Sequence, residues 1–260
     1  MTTSDISAEA IHRQLHTQFV GRRLIYLASA TSTMDVARLE AERGALEGTT
    51  VVADEQTAGR GRLHRTWVSP PGSGLYVSIV FRPELAMLPQ VTMMASLAMA
   101  HTVERATGLT AALKWPNDVF IRGKKVCGII IESDVQGAHV NWIILGIGLN
   151  VNLDASLYPE IASFATSLST EAGHPLGRQE VLVHLLEEVE AHYLALKQGQ
   201  PLHKEWARRL FTLGQEVTVT WGDRKEEGLA QDVDEDGALI LRRKDGTTVR
   251  ILAGDVTLRT

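Results

Sequence analysis

Four apolar, β-branched runs crowd the middle of the chain: Leu113–Trp115, Val119–Ile121, Lys125–Glu132 and Val140–Leu145. They read as consecutive strands, with Gly123 marking a hairpin turn between the second and third. A long Met- and Ala-rich helical stretch, Leu88–Thr107 closed by Gly108, precedes them, and a second helix, Gln179–Lys197, follows. In the latter Val181, Leu185, Val189 and Leu196 form a buried stripe. Strands at Leu24–Leu27, Thr49–Ala53 and Leu75–Phe81 and a shorter helix over Pro201–Leu210 complete the pattern. An amphipathic helix is expected from Ser7 to Phe19, with Ser7 as cap. Another follows Ser32, which stands three residues before Asp35 and ahead of a stop at Gly44. The sum is a mixed β-sheet packed with helices, an α/β (α+β) arrangement.

From Gln215 the texture changes. Short apolar runs alternate with Gly222-Asp223, Asp236-Gly237 and Asp245-Gly246. Asp-Gly pairs between such runs are strong hairpin signals. The reading is a large domain over 1–213 and a small all-β barrel over 214–260. A chain of 260 residues suits that division.

Several function classes drop out. The formal charge of −5 gives no reason to expect nucleic-acid binding by charge alone. No apolar run approaches the ~18 residues of a membrane span, and Met1–Ile11 lacks the layout of a secretory signal. Cytoplasmic residence is the default. One cysteine, Cys127, excludes an internal disulfide and a cysteine-rich zinc site. It reads as a small buried filler rather than a reactive thiol, although two lysines precede it. No P-loop occurs. Gly59-Arg60-Gly61 and Gly146-Ile147-Gly148 each lack the third glycine of a dinucleotide fingerprint. His12 and His16, one helical turn apart, have no third ligand nearby and read as a solvated face.

Four segments carry chemistry. Residues 57–74 lack periodicity and hold Gly59-Arg60-Gly61-Arg62-Leu63-His64-Arg65-Thr66-Trp67. Glycine permits close backbone approach, arginine offers doubly donating contacts to phosphate or carboxylate, and Trp67 offers a stacking face. The plain alternative is a solvated basic loop. Lys114-Trp115-Pro116-Asn117-Asp118 ends a strand in a cation, a rigid ring and two oxygen-bearing side chains. An Asx turn is the plain reading there, and a magnesium-orienting or proton-accepting Asp118 the functional one. Lys125 opens an apolar strand, either as an edge guard or as a cation for a bound carboxylate, and Gly128 marks a close approach. Gly146-Ile147-Gly148-Leu149-Asn150 is a turn, or a wall of bare backbone for a flat ligand.

Taken together and in this order, the four segments strongly resemble the biotin protein ligase family, also called biotin–[acetyl-CoA-carboxylase] ligase. Ser32-Thr33 ahead of a helix matches as well, and the resemblance runs from about Leu24 to Thr260. Met34 stands where many members have asparagine. His64 and Cys127 stand where glycine or alanine is frequent. The resemblance implies the biotin/lipoate ligase fold with a small C-terminal SH3-like barrel. The roughly twenty residues before Leu24 are too few for the helix-turn-helix of repressor-type members, so a monofunctional type is expected.

The implied reaction joins biotin to AMP from MgATP and then passes biotin to a lysine of a biotin carboxyl carrier domain. Lys125, Arg62, Lys114 and Asp118 are the implied catalytic set, with Asp118 also the magnesium ligand. Ser32, Thr33, Gln56, Gly59, Arg60, Arg62, Lys125, Gly128 and Gly148 are implied around biotin. Arg60, Arg62, Arg65, Trp67, Lys114, Asn117, Lys125 and Asn150 are implied around ATP and the adenylate. No nucleic acid or membrane partner is implied, and the resemblance leaves room for a homodimer. A lipoate–protein ligase and a non-catalytic biotin-dependent regulator are the rival readings.

Overall fold

The computed structural model describes residues 5–258. Among them, seven strands form the main sheet: β1 (Leu24–Leu27), β2 (Thr50–Ala53), β3 (Gly74–Phe81), β4 (Ala112–Lys114), β5 (Asp118–Ile121), β6 (Lys124–Gln136) and β7 (His139–Asn150). Their spatial order is β1-β2-β3-β7-β6-β5-β4. β1 and β2 are parallel, and helix α2 (Thr33–Glu42) makes the crossover that parallel neighbours require. The other pairs are antiparallel. β6 and β7 are the longest strands because a tight turn at Gly137 (φ 60°) joins them directly.

Helices cover both faces. On one, α3 (Val91–Thr107) and, after the short α4 (Leu168–Ala172), α5 (Arg178–Lys197) pack on Val52, Val77, Ile79 and Leu145. On the other, Met34, Ala37 and Ala41 of α2 meet Val51, Val80 and Ile144. Alternate residues of a strand serve opposite layers, so β3 is buried along its whole length and reads as one apolar run. Cys127 lies in the α3–α5 core, and burial pushes its thiol up. It is a packing residue, as expected.

A second sheet of five antiparallel strands makes the small SH3-like barrel. β8 (Glu216–Trp221), β9 (Arg224–Val233), β10 (Leu239–Arg242), β11 (Thr248–Ile251) and β12 (Asp255–Leu258) lie in the order β11-β10-β9-β8-β12. It is fastened to the main body by the Trp115 indole N–H, which donates to the Gly237 carbonyl at 3.0 Å, and by Arg62 and Arg65, which reach Gly254 and Asp255.

Three expectations need correcting, and two of the plain alternatives drop out. The first helix, α1, spans only Ala8–Gln14, and Leu15 is already extended. The Glu190 carboxylate on α5 captures the following backbone through the amides of Gln18, Phe19 and Val20. His12 and His16 therefore do not share a helix, and His16 pairs with Glu187 instead. α3 begins at Val91 rather than Leu88, because Pro89 lies in a separate 3-10 turn. Gly146 and Gly148 lie inside β7, paired on both sides, not in a turn. Lys125 does not guard an edge, since β6 lies between β7 and β5. Among the described residues no helix is long and apolar enough to cross a membrane.

Candidate active site

The floor of the site is bare backbone. Gly128 on β6 and Gly148 on β7 are direct register partners, so two adjacent strands lack side chains at one spot. The Trp67 indole lies on that shelf. A Cβ on Gly148 would stand 2.5 Å from Trp67 Cε2 and Nε1, and one on Gly128 would stand 2.9 Å from Cζ3. The loop carrying Trp67 is ordered by its own backbone: Trp67 N–H donates to the Gly59 carbonyl at 2.9 Å and Gly61 N–H to the Arg65 carbonyl at 2.7 Å. Gly59 does not line the cavity. A Cβ there would meet the Trp67 carbonyl at 2.4 Å, so glycine at this position lets the loop close on itself.

Beneath the loop is a cavity of about 160 Å³. One wall is neutral and polar. Ser32 caps α2 through the Met34 amide, Gln56 Oε1 accepts from the Thr33 amide at 2.9 Å, and Ser78 donates to Thr33 Oγ1 at 2.8 Å. Val77, Ile130 and Ile147 supply apolar lining. The other wall is cationic. Arg60 sits between Asp35 (2.9 Å) and Glu132 (3.3 Å). Arg62 donates to Asn117 Oδ1 at 2.9 Å and to the Gly254 carbonyl at 3.2 Å. Arg65 reaches Asp255 at 2.5 Å. Lys125 Nζ lies 2.7 Å from Asp118 and 5.4 Å from the Trp67 ring centre. Burial pushes the Arg62 guanidinium below the usual arginine range, with Asp255 and Asp118 opposing it.

The structure thus gathers Ser32, Thr33, Gln56, Arg60, Arg62, Arg65, Trp67, Asn117, Asp118, Lys125, Gly128, Gly148 and Asn150 around one cavity. Lys114 is not in the lining. It faces Asp118 across the β4–β5 ladder, half-buried, and burial lowers its ammonium below the ordinary lysine value despite Asp118. Asn117 is already engaged at both ends, accepting from Arg62 and donating to the Ile129 carbonyl at 2.6 Å. It serves as a clamp between loop and sheet.

Sequence reasoning missed several members of the lining. Asp255 belongs to β12 of the barrel, and Ile161, Phe164 and Ala165 come from the segment beside β6, where the Lys125 amide donates to the Phe164 carbonyl at 2.8 Å. No spacing or composition signal pointed to either. Met34 was visible only as a departure from the family pattern. Its sulfur fills the space over Gly146, where a Cβ would stand 2.4 Å from Sδ.

The chemistry this arrangement permits is definite: an uncharged polar group at one wall, an apolar middle, and several anionic oxygens at the other. Comparison with known proteins agrees. Residues 26–150 match the biotin/lipoate A/B protein ligase family and residues 212–259 the biotin protein ligase C terminal domain. The biotin–[acetyl-CoA-carboxylase] ligase of Paracoccus denitrificans is 33% identical over 232 residues, covering 86% of this chain and 96% of that protein. The bifunctional ligase/repressor BirA of Bacillus subtilis is 36% identical over 258 residues, 97% of this chain and 79% of that one. A structure of the Aquifex aeolicus biotin protein ligase in complex with biotin and ATP superposes with a TM-score of 0.77 at 32% identity, over 92% of this chain and 99% of that one.

Proposed function

The chain belongs to the biotin protein ligases of the biotin/lipoate A/B protein ligase family, and we propose that its site joins biotin to AMP and then passes the biotinyl group to a lysine of a biotin carboxyl carrier domain. The observation that carries this reading is the polarity of one cavity, neutral and hydrogen-bonding at the α2 end and cationic under the Arg60–Arg65 loop. An uncharged ureido ring suits the first wall. A carboxylate and a triphosphate suit the second.

In the first step a biotin carboxylate oxygen attacks the α-phosphorus, the bond to the β-phosphate oxygen breaks, and pyrophosphate leaves. Two anions must approach each other, so the protein's part is alignment and charge compensation. Lys125 leaves Asp118 for the carboxylate and the oxygen that bridges to phosphorus. Arg62 and Arg65 hold phosphate oxygens, Arg60 keeps the loop in place, and Trp67 with Asn150 walls the nucleotide. Lys114 acts from outside the lining, as a second ammonium beside Asp118. In the second step the carrier lysine attacks the acyl carbon, AMP leaves, and Asp118, released by Lys125, takes the amine's proton. Loop closure keeps water from the mixed anhydride.

Magnesium fits here as a companion of the triphosphate. Among the described residues no three metal-type donors converge on this cavity. Asp118 is the carboxylate to hand, and magnesium commonly takes one or two carboxylates with phosphate and water supplying the rest. The domain boundary is placed at Leu213–Gly214, just before β8. A cytoplasmic setting belongs to this proposal, and a homodimer would use an edge of the main sheet, β1 or β4.

Mass spectrometry of a carrier domain incubated with the protein, ATP, magnesium and biotin tests this. One biotinyl group should appear on the carrier lysine and none without ATP. The absence of labelling, or equal labelling with lipoate, overturns it. The biotin-named relatives favour biotin over lipoate, and a non-catalytic regulator would have no need of the cationic wall.

A further inference from the structure

Away from the cavity, where α3, α5 and α6 (His203–Arg209) meet, two histidines and several glutamates gather. His101 projects from α3. Glu188 and His192 are one turn apart on α5 and so share a face. One ligand atom from each of the three lies within 4.8 Å of the other two. Glu188 Oε2 is 3.8 Å from His101 Nδ1. The ring centres are 4.8 Å apart. We propose that His101, Glu188 and His192 form a binding site for a divalent transition metal of the zinc class, one that staples α3 to α5.

Three further observations support the assignment. First, the partners orient both rings. His101 Nε2 lies 2.9 Å from Glu205 Oε1. A carboxylate only accepts, so Nε2 carries a proton, and Nδ1, on the Glu188 side, is the nitrogen a metal would take. His192 Nδ1 lies 2.8 Å from the Glu188 carbonyl, so the proton is on Nδ1 and the lone pair on Nε2. Each imidazole thus presents one free nitrogen and donates from the other, which is how metal-bound histidines are oriented. Glu205, itself gripped by Arg209 at 3.2 Å, completes a carboxylate–histidine relay.

Second, the local charge is unbalanced. Arg105 is shared by Glu187 and Glu188, and Arg209 by Glu104 and Glu205. Four carboxylates face two guanidinia, and a dication restores neutrality. Third, the spacing nearly suits a shared ion, since one donor atom of each residue already lies within 4.8 Å of the others. Atoms about 2 Å from a shared ion are at most about 4 Å apart. A closing movement of about 1 Å brings the set together, with water completing the tetrahedron. Imidazole and carboxylate donors select zinc-like ions over magnesium.

The test uses the full chain, stripped with EDTA, with zinc chloride alone as the probe and cobalt chloride as its spectroscopic substitute. Zinc should bind with one-to-one stoichiometry and raise the melting temperature, while magnesium should do neither. Cobalt should give the visible absorption of a tetrahedral site. His192→Asn and His101→Ala should each abolish the melting shift. Glu205→Gln, which leaves all three ligands in place, should weaken zinc about 10- to 100-fold. Pyrophosphate release with biotin and ATP should stay unchanged in His192→Asn, which shows that the variant folds. Zinc binding that survives in the His101→Ala/His192→Asn double variant overturns the proposal, as does the absence of a zinc-dependent melting shift in the parent chain.

Discussion

Adding one methyl group at Gly148 should unseat the loop that carries three arginines. A Cβ there would stand 2.5 Å from two atoms of the Trp67 indole and 2.9 Å from a third. Ordinary contact begins near 3.4 Å, so the overlap approaches 1 Å. The ring cannot slide sideways along the shelf, because Gly128, the cross-strand partner, is covered by the same ring. It must lift, and the Trp67–Gly59 backbone bond that orders the loop lifts with it. Overpacking of this kind costs about 1–3 kcal/mol, or about 5- to 150-fold in the population of the seated loop. Gly148→Ala should therefore lower kcat/KM for biotin-dependent pyrophosphate release by that factor. The decisive assay is a double-mutant cycle. Trp67→Ala removes the clash, so adding Gly148→Ala to that background should cost less than about 0.5 kcal/mol. Equal penalties with and without the indole, or a Gly148→Ala enzyme of parental activity, would refute the shelf.

Four other outcomes follow from the same geometry. Lys125→Ala should slow pyrophosphate release about 10²- to 10³-fold, as loss of one charge-stabilising donor does; near-parental turnover removes Lys125 from the first step. Arg62→Ala should release the adenylate to solvent, read as free biotinyl-AMP in a rapid-filtration assay, and full retention of the intermediate counts against the loop as a lid. Arg178, buried between the partly exposed Asp5 and Asp54, should cost about 1.5–3 kcal/mol in urea unfolding when changed to Met; an unchanged midpoint contradicts the pairing. Burial lowers the His192 and His184 imidazoles below their ordinary 6.5. The unfolded chain then binds more protons as pH falls through about 6.5, so metal-free stability should drop between about pH 7 and 5.5. His192→Asn should flatten that limb, and an unaltered limb rules His192 out as its source.

The strands and the two long helices were legible because both covered faces of the sheet leave continuous apolar runs, because α3 is apolar nearly all round, and because α5 keeps its buried stripe. Errors fell where tertiary contacts override local pattern. Leu15 and Phe19 continue a helical period, yet the Glu190 carboxylate holds residues 18–20 in a turn outside the helix. For Gly146 and Gly148 the sequence left a turn and a bare-backbone wall both open, and their pairing with β3 and β6 decides for the wall. The chemical segments were legible because arginine, glycine and lysine are dense in them. Asp255 was not, since its partners Arg62 and Arg65 lie nearly two hundred residues earlier. Gln56 was expected only to bind substrate. It also ties Thr33 to Ser69 and so joins the α2 end to the base of the loop.

One property of the cationic wall reconciles its charge with its stability. Buried cations without partners would oppose folding, yet cations locked in strong pairs would not release to a substrate. Here each cation of the wall has a carboxylate within reach: Arg60 has Asp35 and Glu132, Arg65 and Arg62 share Asp255, and Lys125 has Asp118. All are partly exposed, so water screens them and each pair contributes little. A phosphate oxygen offers the same guanidinium a charge-assisted bond of comparable geometry. Exchange of carboxylate for phosphate is therefore close to even in energy, and the loop can be ordered in the folded chain by the groups that the substrate's own anions later replace. In the proposed reaction Asp118 would gain from the exchange: with Lys125 turned to the phosphate, its freed oxygen would serve as the base where the attacking amine must lose a proton.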